Sequence, residues 1–218
     1  MKKYRGLLCF VITFILIMAS AATCIAGPIK YFSYAYFPLK QITPRMFDSN
    51  LGETKYSMIQ DGGIFKIVYD APRITYSQQM IAKNNGVYIV GTQNKIFLFG
   101  KKITYKAPLL RIPFPLTEAS KWTSETIEYD DDGNSNTVRL TGKVIGEETI
   151  STPAGNFASL KIELIIVSGQ NKPTYLTEWL VKDIGVVKAE AVPGTGGLLG
   201  TFQKLFGLDK VYYTMKSY

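Results

Sequence analysis

Apolar and polar positions alternate with period two along most of this chain, and residues 158–167 give the clearest case. Leu160, Ile162, Leu164 and Ile166 fall on one face there, with Ser159, Lys161 and Glu163 opposite. That spacing predicts a half-buried strand. A turn precedes it: Pro153 fixes φ at its second position, and Gly155 supplies a left-handed residue three places after Thr152. Residues 168–173, with Gly169 and Pro173, interrupt the ladder. Residues 174–181 resume it, with Tyr175, Thr177, Trp179 and Val181 on one side, and this face is expected to bury Trp179 in the core. Asp183-Ile184-Gly185 then turns the chain into a third strand, 186–192. Short turns between such strands predict an antiparallel meander.

Upstream, the same reading places strands at 55–60, 64–69, 74–81, 86–92 and 95–99. Asp61-Gly62-Gly63, Asp70-Ala71-Pro72, Asn84-Asn85-Gly86 and Gln93-Asn94 separate them, and Asn85-Gly86 is the strongest hairpin signal, since both residues accept positive φ. Strands at 125–129 and 136–144 bracket an acidic loop, 147–151 leads into the Pro153 turn, and 210–217 ends the series. Residues 31–39 are dense in aromatics and read as an extended segment ended by Pro38. Phe37-Pro38-Leu39 recurs as Phe114-Pro115-Leu116, either a faint duplication or two independent uses of proline. About ten strands would have to curl or close. The expected fold is mainly β: a strongly curved antiparallel sheet forming a half-open or closed β-barrel, with a short helical insertion near the C-terminus.

Two phrases also carry a resemblance. Thr152, Pro153, Ala154, Gly155 and Phe157, followed by Glu178, Trp179, Gly185, Val186, Val187 and Lys188, form a pattern similar to one in exported bacterial proteins of unknown function. Phe114-Pro115-Leu116 with Trp122 is a second shared phrase. Those families resemble the periplasmic lipoprotein-carrier (Lol-type) superfamily, which implies a curved sheet with a concave face. The matching positions are turn and core residues, so the resemblance transfers no catalytic residue.

The first 26 residues depart from the strand pattern. Lys2, Lys3 and Arg5 precede an apolar run at 7–18, and small residues follow at Ala19, Ser20, Ala21 and Ala22, with Ala26 beyond. This is the arrangement of a secretory signal peptide, and the run is shorter than the ~20 residues a membrane-crossing helix needs. Cleavage is expected after Ala21 or Ala26, leaving one β domain over 27–218 in the periplasm or outside the cell. Lipid anchoring at Cys24 is disfavoured by Thr23 in its lead-in.

Removing that segment takes away both cysteines, Cys9 and Cys24, and the chain has no histidine. Imidazole- and thiolate-based catalysis and the usual zinc site are thereby excluded. The net charge of +8 comes from scattered Lys and Arg rather than a stripe, which argues against nucleic acid. Asp130, Asp131 and Asp132 are dense in oxygen ligands, but Thr141 stands where a calcium loop needs its closing Glu, so a solvated turn is expected. Glu147 and Glu148 point to opposite faces as strand neighbours, and Glu178 reads as the partner of a Lys or Arg. No catalytic residue, metal ligand or cofactor is assigned.

Residues 194–208 are the unusual element. Leu198, Leu199, Phe202, Leu205 and Phe206 recur at helical spacing between two strands that a simple turn could join. They are the candidate ligand-binding residues if this insertion is a lid; the alternatives are a core cap or a membrane contact through 194–208. The functional expectation is a non-enzymatic envelope protein that binds a lipid or other apolar ligand on its concave face. Ile165 and Val167, apolar on the face opposite Ile162 and Leu164, lean towards that cavity. The alternative is a structural or protein-interaction component of an envelope assembly, with an envelope protein as partner, working through an exposed face or sheet edge.

Overall fold

In a computed structural model, residues 30–31, 33–40, 42–96, 99–195 and 209–217 are described. The meander is long and regular. β2 (Ile42–Ser49), β3 (Thr54–Asp61), β4 (Ile64–Ala71), β5 (Ile74–Lys83), β6 (Gly86–Ile96) and β7 (Phe99–Pro113) follow one another as antiparallel neighbours. β9 (Lys121–Asp130), β10 (Ser135–Thr152), β11 (Gly155–Ser168), β12 (Thr174–Val181), β13 (Gly185–Val192) and β14 (Val211–Ser217) continue it. β14 pairs with β2 and β7 with β9, so the twelve strands close into a barrel. Closure removes the edges that an open sheet would expose.

The expected hairpins are present, with three differences. Asn84-Asn85 forms the turn between β5 and β6, while Gly86 already pairs with Lys83 in the ladder. A Cβ at Gly86 would lie 2.6 Å from the Ile112 carbonyl oxygen, so glycine is needed there for the close approach of β7. Gln93-Asn94 does not break the chain, because β6 runs through it paired to β5 and β7. The two strands expected at 136–144 and 147–151 are one, β10, bent by a bulge at Val144/Gly146. Bulges bend and twist a strand, which lets long strands wrap a closed barrel.

The aromatic N-terminal stretch is not a barrel strand. Lys30–Tyr31 (β1) pairs with Leu116–Thr117 (β8), and Ser33–Tyr36 forms a single helical turn, α1. Tyr31, Phe37 and Leu39 are buried. The Asp183 amide donates to the Ala35 carbonyl at 2.7 Å, and Arg45 donates to the Ile184 carbonyl at 2.5 Å. Residues 30–31 and 33–40 therefore cork one end of the barrel, the lower end, where β12 turns into β13. Short aromatic runs cannot be told from strands by composition, and here burial in the barrel mouth outweighs the β preference.

The faces divide sharply. Phe47, Met80, Leu109, Ile112, Leu140, Leu160, Ile162, Leu164 and Leu180 are fully buried and fill the lower half. Outside, ion pairs ring the wall: Arg139–Glu125, Lys143–Glu163, Lys188–Glu190 and Lys216–Glu53. Barrels that span membranes carry an apolar outer band and a polar interior, and this wall is the reverse. Ile165 and Val167 are outward and half-buried rather than cavity lining. Among the described residues no helix is long and apolar enough to cross a membrane.

Candidate functional site

β12 presents Leu176, Glu178 and Leu180 to the interior, and Tyr175, Thr177 and Trp179 to the outside. Trp179 is only 5 % exposed and belongs to the main buried hydrophobic cluster, as expected, although it faces away from Glu178 and the lumen. Its neighbours in register are Lys161 and Lys188, whose ammonium groups lie 5.1 and 4.3 Å from the ring centre. The indole N–H donates to Glu148. Long lysine stems cover the ring while their charges stay wet, which adds to the burial of this outward side of β12. Tyr175, on the same face, is 49 % exposed.

Glu178 does have a basic partner, but from across the barrel. Arg111 on β7 donates through Nη2 to both carboxylate oxygens, at 2.6 and 2.8 Å. Both side chains are almost wholly buried. Burial pulls the guanidinium pKa down, but the Glu178 charge and hydrogen bonds outweigh it, so Arg111 stays firmly cationic. Phe37 of the cork stacks 4.7 Å from the guanidinium carbon, and Trp122 Nε1 donates to the Arg111 carbonyl at 3.0 Å. Nη1 of Arg111 is buried and has no hydrogen-bond partner.

Above this pair the interior is not full. A cavity of about 70 Å³ is lined by Arg111 and Glu178, by Tyr69, Tyr76 and Tyr213, and by aliphatic residues including Leu176, Ala189, Ala191 and Val211. The rings come from register: Tyr56 opposes Tyr69 and Tyr69 opposes Tyr76 on successive strands. Tyr69 lies 5.0 Å from Tyr56 and 5.2 Å from Tyr213, centre to centre. Burial pushes the phenols of Tyr56 and Tyr76 up to about 12 and that of Tyr69 well above its ordinary value, so all three stay protonated donors.

A second cavity of about 60 Å³ shares Tyr76, Gln78 and Ile166 with the first. Its wall includes Tyr105, Glu128, Ser168 and Lys172. Burial raises the Glu128 pKa, opposed by the Ser168 hydroxyl that donates to it and by Lys101. At the upper end the backbone leaving β13 crosses the β11–β12 loop. Gly194 N–H donates to Thr174 Oγ1 and Lys172 N–H to Thr195 Oγ1, both at 2.9 Å. A Cβ on Gly194 would sit 2.0 Å from the Lys172 carbonyl oxygen, so only glycine lets the two backbones meet.

Leu198, Leu199, Phe202, Leu205 and Phe206 lie outside the described residues, as do the proposed signal segment and both cysteines. The acidic loop is described, and Asp130 holds its own hairpin together: Oδ1 accepts the amides of Asp132 and Asn134 at 3.1 and 2.8 Å. Of the site residues, Glu178 was singled out by sequence and Arg111 was missed. The signal was there, in one basic residue inside the apolar stretch APLLRIPF. A lone cation among apolar neighbours in a strand has to be paired when it is buried.

Residues 100–203 match a family model described as DUF3108-like, a span that contains the Thr152–Phe157 and Glu178–Lys188 phrases. Comparison with curated proteins gives no match. Among solved structures, a presumed lipoprotein from Parabacteroides distasonis aligns at TM-score 0.45 and 14 % identity, covering 84 % of this chain and 97 % of that one. The hypothetical lipoprotein YmcC from Escherichia coli aligns at 0.42 and 15 % identity, over 80 % of this chain and 83 % of that one. A presumed exported protein with a YmcC-like fold from Bacteroides fragilis aligns at 0.38 and 13 % identity, over 84 % and 97 %. None of the three is described as a lipoprotein carrier, so the resemblance to the Lol-type superfamily rests on the sequence phrases alone. Over residues 100–203 this chain is similar to the DUF3108-like family.

Proposed function

We propose that this protein is a non-enzymatic, exported envelope barrel that binds an apolar group in its upper half. The observation that carries the reading is the cavity lined by Tyr69, Tyr76 and Tyr213 together with the small residues Ala189, Ala191 and Val211. Small residues beside rings leave more room there than at the lower end, where a cavity beside the cork measures about 10 Å³. The size limits the ligand. An engineered apolar cavity that admits benzene is about 150 Å³, so spaces of about 70 and 60 Å³ take a group of a few heavy atoms and not a whole lipid chain. A larger apolar ligand enters by its end, or by displacing Tyr76 and Gln78, which separate the two spaces. The basic n-region and apolar run at 7–18 support export. The alternative of an interaction module working through a sheet edge is weakened by barrel closure, which leaves the main sheet no free edge.

Native mass spectrometry of protein released from cell envelopes tests this directly. A co-purified small molecule that survives in the native protein and is lost in Ala191→Leu, with folding unchanged, supports the reading. A native protein that carries nothing and takes up neither xenon nor a short hydrocarbon overturns it.

A further inference from the structure

We infer that Arg111 is the polar anchor of the bound group, and that the group carries an uncharged oxygen acceptor, such as an ester carbonyl, rather than a carboxylate. This rests on the apolar-cavity reading above. The anchor follows from hydrogen-bond accounting. Nη2 is committed to both oxygens of Glu178, while Nη1, on the same buried fork, has no partner. A buried N–H left unpaired costs free energy, and native proteins satisfy nearly all such groups. Arg111 lines the larger cavity, so the space beside it is where an acceptor is supplied. The fork is also held still, between the Phe37 ring on the cork and the Glu178 carboxylate across the barrel.

The charge of the acceptor follows from the pair. Arg111 and Glu178 neutralise each other, so the cavity floor has no net charge for a carboxylate to balance. An entering anion would be buried beside the Glu178 carboxylate, with no second cation among the residues that line this cavity. A neutral carbonyl or ether oxygen accepts from Nη1 without that penalty, and the aliphatic and aromatic wall takes the rest of the ligand. Ala189, Ala191, Leu176 and Val211 are placed for the hydrocarbon side of such a group.

The test uses three probes of similar size on the full folded protein: methyl butyrate, butyrate and pentane. Trp122 and Trp179 are the chain's two tryptophans, so their indole N–H signals report separately. Trp122 donates to the Arg111 carbonyl, while Trp179 lies on the outer wall as an internal control. Titration of methyl butyrate is expected to move the Trp122 signal and leave Trp179 still, with an affinity about tenfold above that of pentane and of butyrate. Removing Arg111 alone would strand a buried carboxylate, so the variant is the double change Arg111→Met with Glu178→Leu, which removes both charges together. It is expected to bind pentane as before and to lose the preference for the ester. Equal binding of pentane and ester by the native protein overturns the anchor but leaves the cavity reading standing, and means that water alone serves Nη1. Tightest binding by butyrate overturns the uncharged acceptor. No binding of any probe overturns the cavity reading itself. The native order of affinities decides these outcomes even if the double variant does not fold.

Discussion

At the scale of single residues, burial and position in the barrel are separate facts. Trp179 belongs to the buried hydrophobic cluster although it faces away from the lumen, and Lys161, Lys188 and a bond to Glu148 complete its surroundings. Trp179→Ala is expected to cost about 3 kcal/mol, at the lower end for a large aromatic, because part of its cover is mobile lysine. Lys188→Ala should instead leave stability almost unchanged and shift tryptophan emission to the red, which steady-state fluorescence with chemical denaturation reads in one sample. Unchanged emission would mean that the lysine does not shield the ring. Gly142 is a second such residue. It faces Trp122 across the β9–β10 ladder, and a Cβ there would fall 2.2 Å from the indole ring. Gly142→Ala should therefore cost about 1–3 kcal/mol by overpacking, measured by urea midpoint, with Trp122 as the displaced group. Strand patterning places Trp179 in the buried core, and it is buried there, on the side of β12 turned away from the lumen. Period two fixes only that Trp179 is opposite Glu178, and it cannot say which face is the lumen when the lumen itself holds an ion pair.

At the scale of elements, the strands were legible where alternation was strict, and poorly legible where bulges and aromatics entered. β11 follows the pattern closely, with Leu160, Ile162 and Leu164 inside and Lys161 and Glu163 outside, whereas β12 inverts it at Glu178 and Trp179. β7, the longest of the strands missed, runs over FGKKITYKAPLLRIP, whose lysines and Arg111 blur the alternation. The cork was missed for a related reason, because a buried aromatic run reads alike as strand, helical turn or plug. Its contribution to stability is measurable. Leu39 is 2 % exposed beneath the lower rim, and Leu39→Ala is expected to lose about 2–5 kcal/mol in equilibrium unfolding. A loss under 1 kcal/mol would mean that the barrel stands without its cork. The same change should leave the tyrosine-walled cavity intact, since no cork residue lines it.

For the whole molecule, the interior tyrosines make stability depend on alkaline pH. Burial pushes Tyr56 and Tyr76 up to about 12, with Tyr69, Tyr105 and Tyr213 raised as well, against an ordinary phenol value of 10.0. Each phenol holds its proton more tightly in the folded state. The stabilisation is therefore complete below pH about 10 and is lost as pH climbs through that value towards 12 and beyond, where the unfolded chain ionises first. Denaturant midpoints should fall over that window, and phenolate absorbance should rise in two stages, exposed tyrosines first and the buried set together with unfolding. A single smooth phenolate titration near pH 10 with the protein still folded would contradict the buried aromatic wall. The sequence alone determined the β class, the antiparallel order, most turns and the lack of imidazole, because these depend on neighbours a few residues apart. Only the tertiary structure decided that the sheet closes with twelve strands, that residues 33–40 fill one end, and that Arg111 meets Glu178 across the lumen. Those outcomes depend on contacts between positions far apart in the chain, such as Arg111 and Glu178 at a separation of 67 positions, and no local period encodes which distant faces will meet.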